Sequence, residues 1–219
     1  MHASERTLVT MIRSRTQSAP PKRAPAPAAR TSGAAHEVRI VGGVWRRTRL
    51  RVLDKPGLRP TPDRVRETLF NWLGQDLTGR VCLDAFAGTG ALGLEAASRG
   101  AHQVVLIEQD AQLVQQLNAH VVQLKAAQVK VQRTDALTAL ASWPAQTADL
   151  VFLDPPFSGD EALFTHALQQ AARCVPVGGW VYLEAPEAWT DEGLQALGLS
   201  VHKYLRAGAV HAHLLQRTA

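Results

Sequence analysis

From residue 80 onward, short apolar runs alternate with longer stretches of helical period, and this alternation limits the fold more than any other feature of the chain. The short runs are 81–85, 103–108, 130–133, 149–153 and 180–184, and helical patterns fill 91–99, 111–126, 160–174 and 190–197. Strands alternating with helices predict a parallel sheet covered on both faces. Two last β-like runs, "LSVHKYLR" and "AVHAHLLQR", flank Ala207-Gly208 and read as an antiparallel hairpin that closes the sheet. The expected class is α/β, a Rossmann-like, mostly parallel seven-stranded sheet with an antiparallel C-terminal hairpin.

With 219 residues, 46% of them hydrophobic, the chain can bury one good core and carry a small extension. No run of 18 apolar residues appears, so no membrane-spanning helix is expected, and the N-terminus has no apolar secretory core. Cys82 and Cys174 lie far apart in apolar surroundings, which predicts two buried thiols in a reducing compartment, the cytoplasm. The formal net charge of +5 hides an asymmetry: residues 1–66 hold 15 bases against 4 acids, a net of +11, and the remainder carries −6. A basic arm on an acidic body points to a polyanionic partner.

Residues 1–35, rich in Ala, Pro, Arg and Ser, have no hydrophobic period and are expected to be disordered. A transit peptide would share this look, and Met11 is an alternative start. A second segment, 36–60, is expected to be an RNA-binding hairpin, and 61–219 the α/β domain. "VRIVGGVWRRTRLRV" holds two β-like runs, 38–41 and 44–52, around Gly42-Gly43, a hairpin signal. Strict alternation would put Trp45, Arg47, Arg49 and Arg51 on one face, an arginine row with an aromatic that suits phosphate and base contact. Arg39 and Arg46 in the hairpin, and Arg59, Thr61, Arg64 and Arg66 in "GLRPTPDRVRETLFNWL", complete the candidate RNA contacts. In the latter block Thr61 is expected to cap a helix, with Pro62 at its first position and Asp63 at its positive end. Val65, Leu69, Trp72 and Leu73 then share a stripe.

"LDAFAGTGALG" joins the first strand of the domain to its first helix. Gly88, Gly90 and Gly93 match the G-x-G-x-x-G spacing of dinucleotide folds, which alone permits a nicotinamide enzyme. Asp84, at the strand's end, would disfavour a diphosphate and attract an ammonium. Glu108 closes the second strand, where an acid can hold both ribose hydroxyls. Asp135 follows the third strand and can accept from an adenine amino group. An ammonium, a ribose and an adenine without phosphates describe S-adenosylmethionine, whose product is S-adenosylhomocysteine. The candidate cofactor contacts are therefore Asp84, Ala85, Phe86, Ala87, Gly88, Thr89, Gly90, Glu108, Gln109, Asp135 and Ala136.

Asp154-Pro155-Pro156-Phe157 ends the fourth strand, beside the first in a doubly wound sheet. An exocyclic ring amine is a poor nucleophile, and acceptors that hold its N–H groups help it attack a methyl group. Asp154 offers a carboxylate, and Pro155 a carbonyl stiffened by the next proline. Neither proline adds a competing N–H, and Phe157 can stack on a base that has left its helix.

The Asp-Pro-Pro-Phe stretch and the glycine loop resemble class I methyltransferases of exocyclic base amines. With "RIVGGVWR" and "GLRPTPDRVRETLFNWL" upstream, the chain from Val38 onward resembles the RsmD family, bacterial enzymes that methylate N2 of one guanine in 16S ribosomal RNA. The resemblance implies S-adenosylmethionine as donor, no metal, a target presented by an assembling small subunit, and action as a monomer. It implies Asp154 to Phe157 as the catalytic motif, Asp84 to Gly90 with Glu108 as the donor site, and Asp135 less strongly. An adenine-N6 methyltransferase would use the same motif. A nicotinamide oxidoreductase would leave Asp154–Phe157 unexplained, and a pure RNA-binding protein would not need the body. His202, His211 and His213 are read as strand-surface histidines in preference to a metal site, and Trp143, Trp180 and Trp189 as packing residues.

Overall fold

The computed structural model describes residues 37–55, 58, 61–157 and 161–219; the expected disorder of 1–35 and the candidate Arg59 lie outside the described residues. In chain order the elements are β1 (Glu37–Arg39), β2 (Arg49–Arg51), α1 (Asp63–Trp72), β3 (Val81–Asp84), α2 (Ala91–Ser98), β4 (Gln103–Glu108) and α3 (Ala111–Leu124). There follow β5 (Val129–Arg133), α4 (Ala136–Ser142), β6 (Leu150–Leu153), α5 (Glu161–Cys174), β7 (Trp180–Ala185), α6 (Asp191–Gln195), β8 (Leu199–Ala207) and β9 (Val210–Arg217). The described residues fall in one compact unit, Ala35–Ala219.

The seven-stranded sheet has the order β5-β4-β3-β6-β7-β9-β8. Its first five strands are parallel, and β9 pairs antiparallel with both β7 and β8. Strand order reverses between β3 and β6, so a crevice opens at their carboxyl ends, the usual ligand position of doubly wound sheets. Side chains alternate between two cores. Cys82, Leu106, Phe152, Tyr182 and Leu214 face α1, α2 and α3. Leu83, Val105, Val151, Leu183 and Leu215 face α4 and α5. Phe70 of α1 lies 6.1 Å from Phe152, and Phe152 lies 6.3 Å from Tyr182 between ring centroids, so α1 packs on β6 through an aromatic chain that continues to β7. Both cysteines are free and buried. Trp143, Trp180 and Trp189 pack partly buried against the cores.

The N-terminal hairpin departs from the Gly-Gly turn expected of it. β1 and β2 are three residues each, joined by a nine-residue connection, 40–48. That connection is closed by its own turns, with Ile40 N–H donating to the Thr48 carbonyl (2.9 Å) and Arg47 N–H to the Ile40 carbonyl (2.8 Å), and it is also bonded to α2: Val44 N–H donates to the Ser98 carbonyl (2.7 Å), Trp45 N–H to Ser98 Oγ (2.9 Å) and Ser98 Oγ–H to the Gly42 carbonyl (2.6 Å). Gly43 has φ +71°, and a Cβ there would collide with the Ser98 carbonyl, so the glycines serve this close approach. The expected arginine row is broken as a result. Only Arg49 and Arg51 share a strand face, Arg47 has φ +72°, and Trp45 packs half-buried against the core.

α1 starts one residue later than expected. Pro62 occupies the cap position, without a side-chain cap, and the Thr61 hydroxyl bonds to Glu184 instead. α4 is a seven-residue helix with no counterpart in the sequence reading; its three buried residues give too short a period to see.

Candidate active site

The loop from β3 to α2 is drawn under the carboxyl ends of the strands by backbone bonds. Ala85 N–H donates to the Phe152 carbonyl (3.1 Å), and Ala87 N–H to the Ile107 carbonyl (2.9 Å). Phe86 is half-buried, and Ala85, Ala87 and Thr89 are buried. Gly90 has φ +79°, and a Cβ there would stand 2.7 Å from Leu117 Cδ2, so the turn requires glycine. A Cβ on Gly88 would meet Leu58 Cδ1 at 3.3 Å, so Leu58 walls the loop. Lys55 reaches Asp110, the cap of α3, at 2.5 Å, which brings the same segment to the next loop.

Glu108 stands half-buried at the end of β4. Its Oε2 accepts from Gly88 N–H (3.0 Å) and its Oε1 from Asp110 N–H (2.8 Å), so it fixes the glycine loop against the β4–α3 loop. Gln109 is exposed beside it. Asp84 is 1% exposed, and its Oδ2 accepts from Gly93 N–H at 2.9 Å. Burial pushes its carboxyl up to about 7, against the Gly93 bond, with Glu108 and Glu184 adding to the rise. Asp84 therefore lies buried under the loop, held by the first turn of α2. Asp135 is exposed and caps α4, accepting from Thr138 N–H (2.8 Å) and Oγ (3.0 Å), with Ala136 buried behind it.

Asp154 follows β6. Leu153 pairs with Leu183, so Asp154 falls beside Glu184 on the neighbouring strand. Asp154 is half-buried, Pro155 buried, Pro156 exposed and Phe157 41% exposed. Burial holds the Asp154 carboxyl well above the usual carboxylate range, and the Glu184 and Asp84 carboxyls raise it further. Glu184 is 3% exposed; its Oε1 accepts from Tyr182 O–H at 2.9 Å, and Thr61 also bonds to it. Burial raises Glu184 too, while these two bonds oppose the rise. The sequence reading missed Glu184 and Tyr182. The signal was there: an acid closing a fifth strand, on the same face as a tyrosine two residues earlier.

The basic residues divide. Arg46, Arg47, Arg49, Arg51 and Arg64 are exposed. Arg39 pairs with Asp63 through two bonds (3.0 and 2.7 Å), and Arg49 with Glu37 (3.3 Å). Arg66 and Thr61 depart from their expected place on the RNA surface, because both are buried, at 1% and 4% exposure. Arg66 donates to Glu95 (3.2 Å), Asp63 (2.5 Å) and the Thr61 carbonyl (3.1 Å). Clefts of about 320 and 270 Å³ run between the 40–48 connection and α1, with Val41, Arg46 and Glu67 common to both. Among the described residues, no group of three or more His, Cys, Asp or Glu is placed to hold a metal ion, and no helix is long and apolar enough to cross a membrane.

Known proteins match along this whole framework. The family model described as conserved hypothetical protein 95 matches residues 38–216. Ribosomal RNA small subunit methyltransferase D of Escherichia coli K12 is 42% identical over 188 residues, 84% of this chain and 91% of that one. The protein of the same name from Haemophilus influenzae is 40% identical over 171 residues, 73% of this chain and 89% of that one. Among solved structures, the one described as "Putative methyltransferase yhhF" from Escherichia coli superposes with a TM-score of 0.71 at 36% identity, covering 84% of this chain and 99% of that one. The chain belongs to the RsmD family, described as conserved hypothetical protein 95.

Proposed function

We propose that this chain methylates the exocyclic N2 of one guanine in 16S ribosomal RNA, with S-adenosylmethionine as donor and the assembling small subunit as the context. The observation that carries the reading is the placement of Asp154, half-buried at the end of β6 with Pro155 and Pro156 behind it, across the strand-order reversal from the glycine loop. The names of the relatives support ribosomal RNA as substrate.

The residues present fit the donor. The loop 85–90 has no Lys or Arg to meet a diphosphate, while Asp84 and Glu108 put carboxyls beneath and beside it. A cationic ligand without phosphates is favoured there. Gly88 and Gly90 let the backbone approach it closely. Glu108 would hold the ribose hydroxyls, exchanging bonds now made to Gly88 and Asp110. Asp84 would favour the ammonium through the low-dielectric interior. Gln109, Asp135 and Ala136 would border the adenine. When bound, S-adenosylmethionine supplies an electrophilic methyl group.

The protein's own part is to hold and deprotonate the amine. Asp154 and the Pro155 carbonyl accept its two N–H groups, which favours a pyramidal nitrogen with its lone pair free. Asp154 then takes the proton that the methylated nitrogen must shed. Phe157, exposed beside them, stacks on the flipped base. Exposed Arg46, Arg47, Arg49, Arg51 and Arg64 bind phosphates.

The test is labelled methyl transfer to small subunits lacking the modification, followed by mapping of the modified base. Asp154→Ala should keep S-adenosylhomocysteine affinity and lose roughly 10²–10⁴-fold in turnover. Near-normal turnover in that variant would remove Asp154 from the chemistry, and a methyl group on adenine N6 would replace the guanine reading.

A further inference from the structure

We infer that the β8–β9 hairpin is a second RNA-contact surface, holding nucleotides beside the methylated base through the face of Tyr204 and the charge of Arg206. The inference rests on the proposed RNA substrate and deepens it.

Charge first sets this hairpin apart. Residues 67–198 contain six bases and all fifteen acids found after residue 66. Residues 199–219 contain Lys203, Arg206 and Arg217, three histidines, and no acid at all. The acidic body thus ends in a short basic piece, distant in sequence from the basic N-terminal arm.

Register then places it. His211 pairs with Ala185 on one side and Arg206 on the other, so Arg206 and His211 lie level with the last residue of β7. Tyr204 pairs with His213, which pairs with Leu183, which pairs with Leu153, the residue before Asp154. The turn at Gly208 therefore points the same way as the catalytic strand ends. At about 4.8 Å per strand, β9 stands roughly 10 Å and β8 roughly 14 Å from β6. RNA whose target base enters at Asp154 has its neighbouring nucleotides within that span.

The side chains suit such a ligand. Tyr204 is 45% exposed, on a strand at the edge of the sheet. Its hydroxyl bonds His211 Nδ1 at 2.8 Å, and its ring lies 5.1 Å from the His213 ring. His213 is buried, with Nε2 accepting from Trp189 N–H at 3.3 Å. The tyrosine is thus fixed in place with its ring open, a preorganised platform for an unpaired base. Arg206 is exposed two residues along the same face, placed for the phosphate that follows.

Full-length variants test this by binding to a small-subunit RNA fragment across a salt series. Tyr204→Ala should weaken binding roughly 5- to 150-fold, the range of one base–aromatic stack. Tyr204→Phe keeps the ring and should stay within about twofold of wild type. Arg206→Ala, at an exposed site, should lower the salt slope by about 0.7–0.9. S-adenosylhomocysteine affinity and the thermal midpoint should hold in all three. Unchanged RNA binding in Tyr204→Ala overturns the stacking role. An unchanged slope in Arg206→Ala overturns the phosphate contact, whatever the tyrosine variant does. A loss seen only with assembled subunits, and not with RNA, would put a protein on this surface and overturn the assignment. Wild type that neither binds nor methylates small-subunit RNA would instead defeat the proposed function as a whole.

Discussion

Asp154, Glu184 and Asp84 are three carboxyls gathered at the ends of adjacent strands, where water would ordinarily separate them. An acceptor for an amine proton must be ionised, so in the proposed role of Asp154 turnover should fall as pH drops through a value well above the ordinary carboxylate range. Glu184→Gln keeps an acceptor for Tyr182 and Thr61 but removes the like charge. The acid limb of the kcat profile should therefore move to lower pH, and a limb that stays put would show that Glu184 does not set the proton affinity of Asp154. Asp84 is raised by the same burial. Its carboxyl rises from 3.8 to about 7 on folding, so its contribution to stability is greatest below pH 3.8, declines as pH rises towards 7, and is flat above. Asp84→Asn preserves an acceptor for Gly93 N–H and should stabilise the fold at pH 8 by up to about 4 kcal/mol, the ceiling set by ~1.4 kcal/mol per pH unit. Denaturant titration at pH 8 and pH 4 checks the sign, and donor affinity should weaken in the same variant.

At the scale of elements, α2 is the joint of the molecule. All eight of its residues are buried, and one of them is Glu95. That carboxylate accepts from Val41 N–H (2.8 Å), from Arg66 (3.2 Å) and from Arg99 twice (3.0 and 2.8 Å). Arg99 in turn lies 4.7 Å over the Phe70 ring. The hairpin connection, α1 and α2 meet on this one group. Glu95→Ala leaves two buried guanidinium groups without their shared counter-charge and should cost about 3–5 kcal/mol, measured by denaturant unfolding. The same helix begins at the glycine loop and ends at Ser98, which holds the hairpin connection, so the glycine loop and the hairpin connection sit at opposite ends of one rigid element.

For the whole molecule, the separation of charge along the chain predicts that the proposed RNA binding and donor binding can be disrupted independently. Arg47, Arg49 and Arg51 are exposed on the N-terminal hairpin, whereas Asp84 and Glu108 end β3 and β4 of the seven-stranded sheet. Replacing all three by Ala should lower the salt slope of RNA binding by about 0.7–0.9 for each phosphate no longer neutralised, with donor affinity unchanged. Deleting residues 1–35 should do much less. Should the deletion abolish binding while the triple variant binds normally, the terminal segment and not the hairpin grips the RNA.

The sheet, its five parallel strands and its closing hairpin were legible in the chain, because burial on both faces forces continuous apolar runs and a local period needs no partner to be seen. The glycine loop and the Asp-Pro-Pro-Phe end were legible for the same reason: each is contiguous. What depends on distant residues was not. Strict alternation promised a row from Trp45 to Arg51, and the bonds to Ser98 broke it. Arg66 read as one more cation in a basic stretch until Glu95, 29 residues later, drew it into the core. Thr61 read as a helix cap until Glu184 took its hydroxyl. Patterns repeat along a chain, whereas a buried charge or hydroxyl goes wherever the fold supplies its partner, and only the packed structure fixes that place.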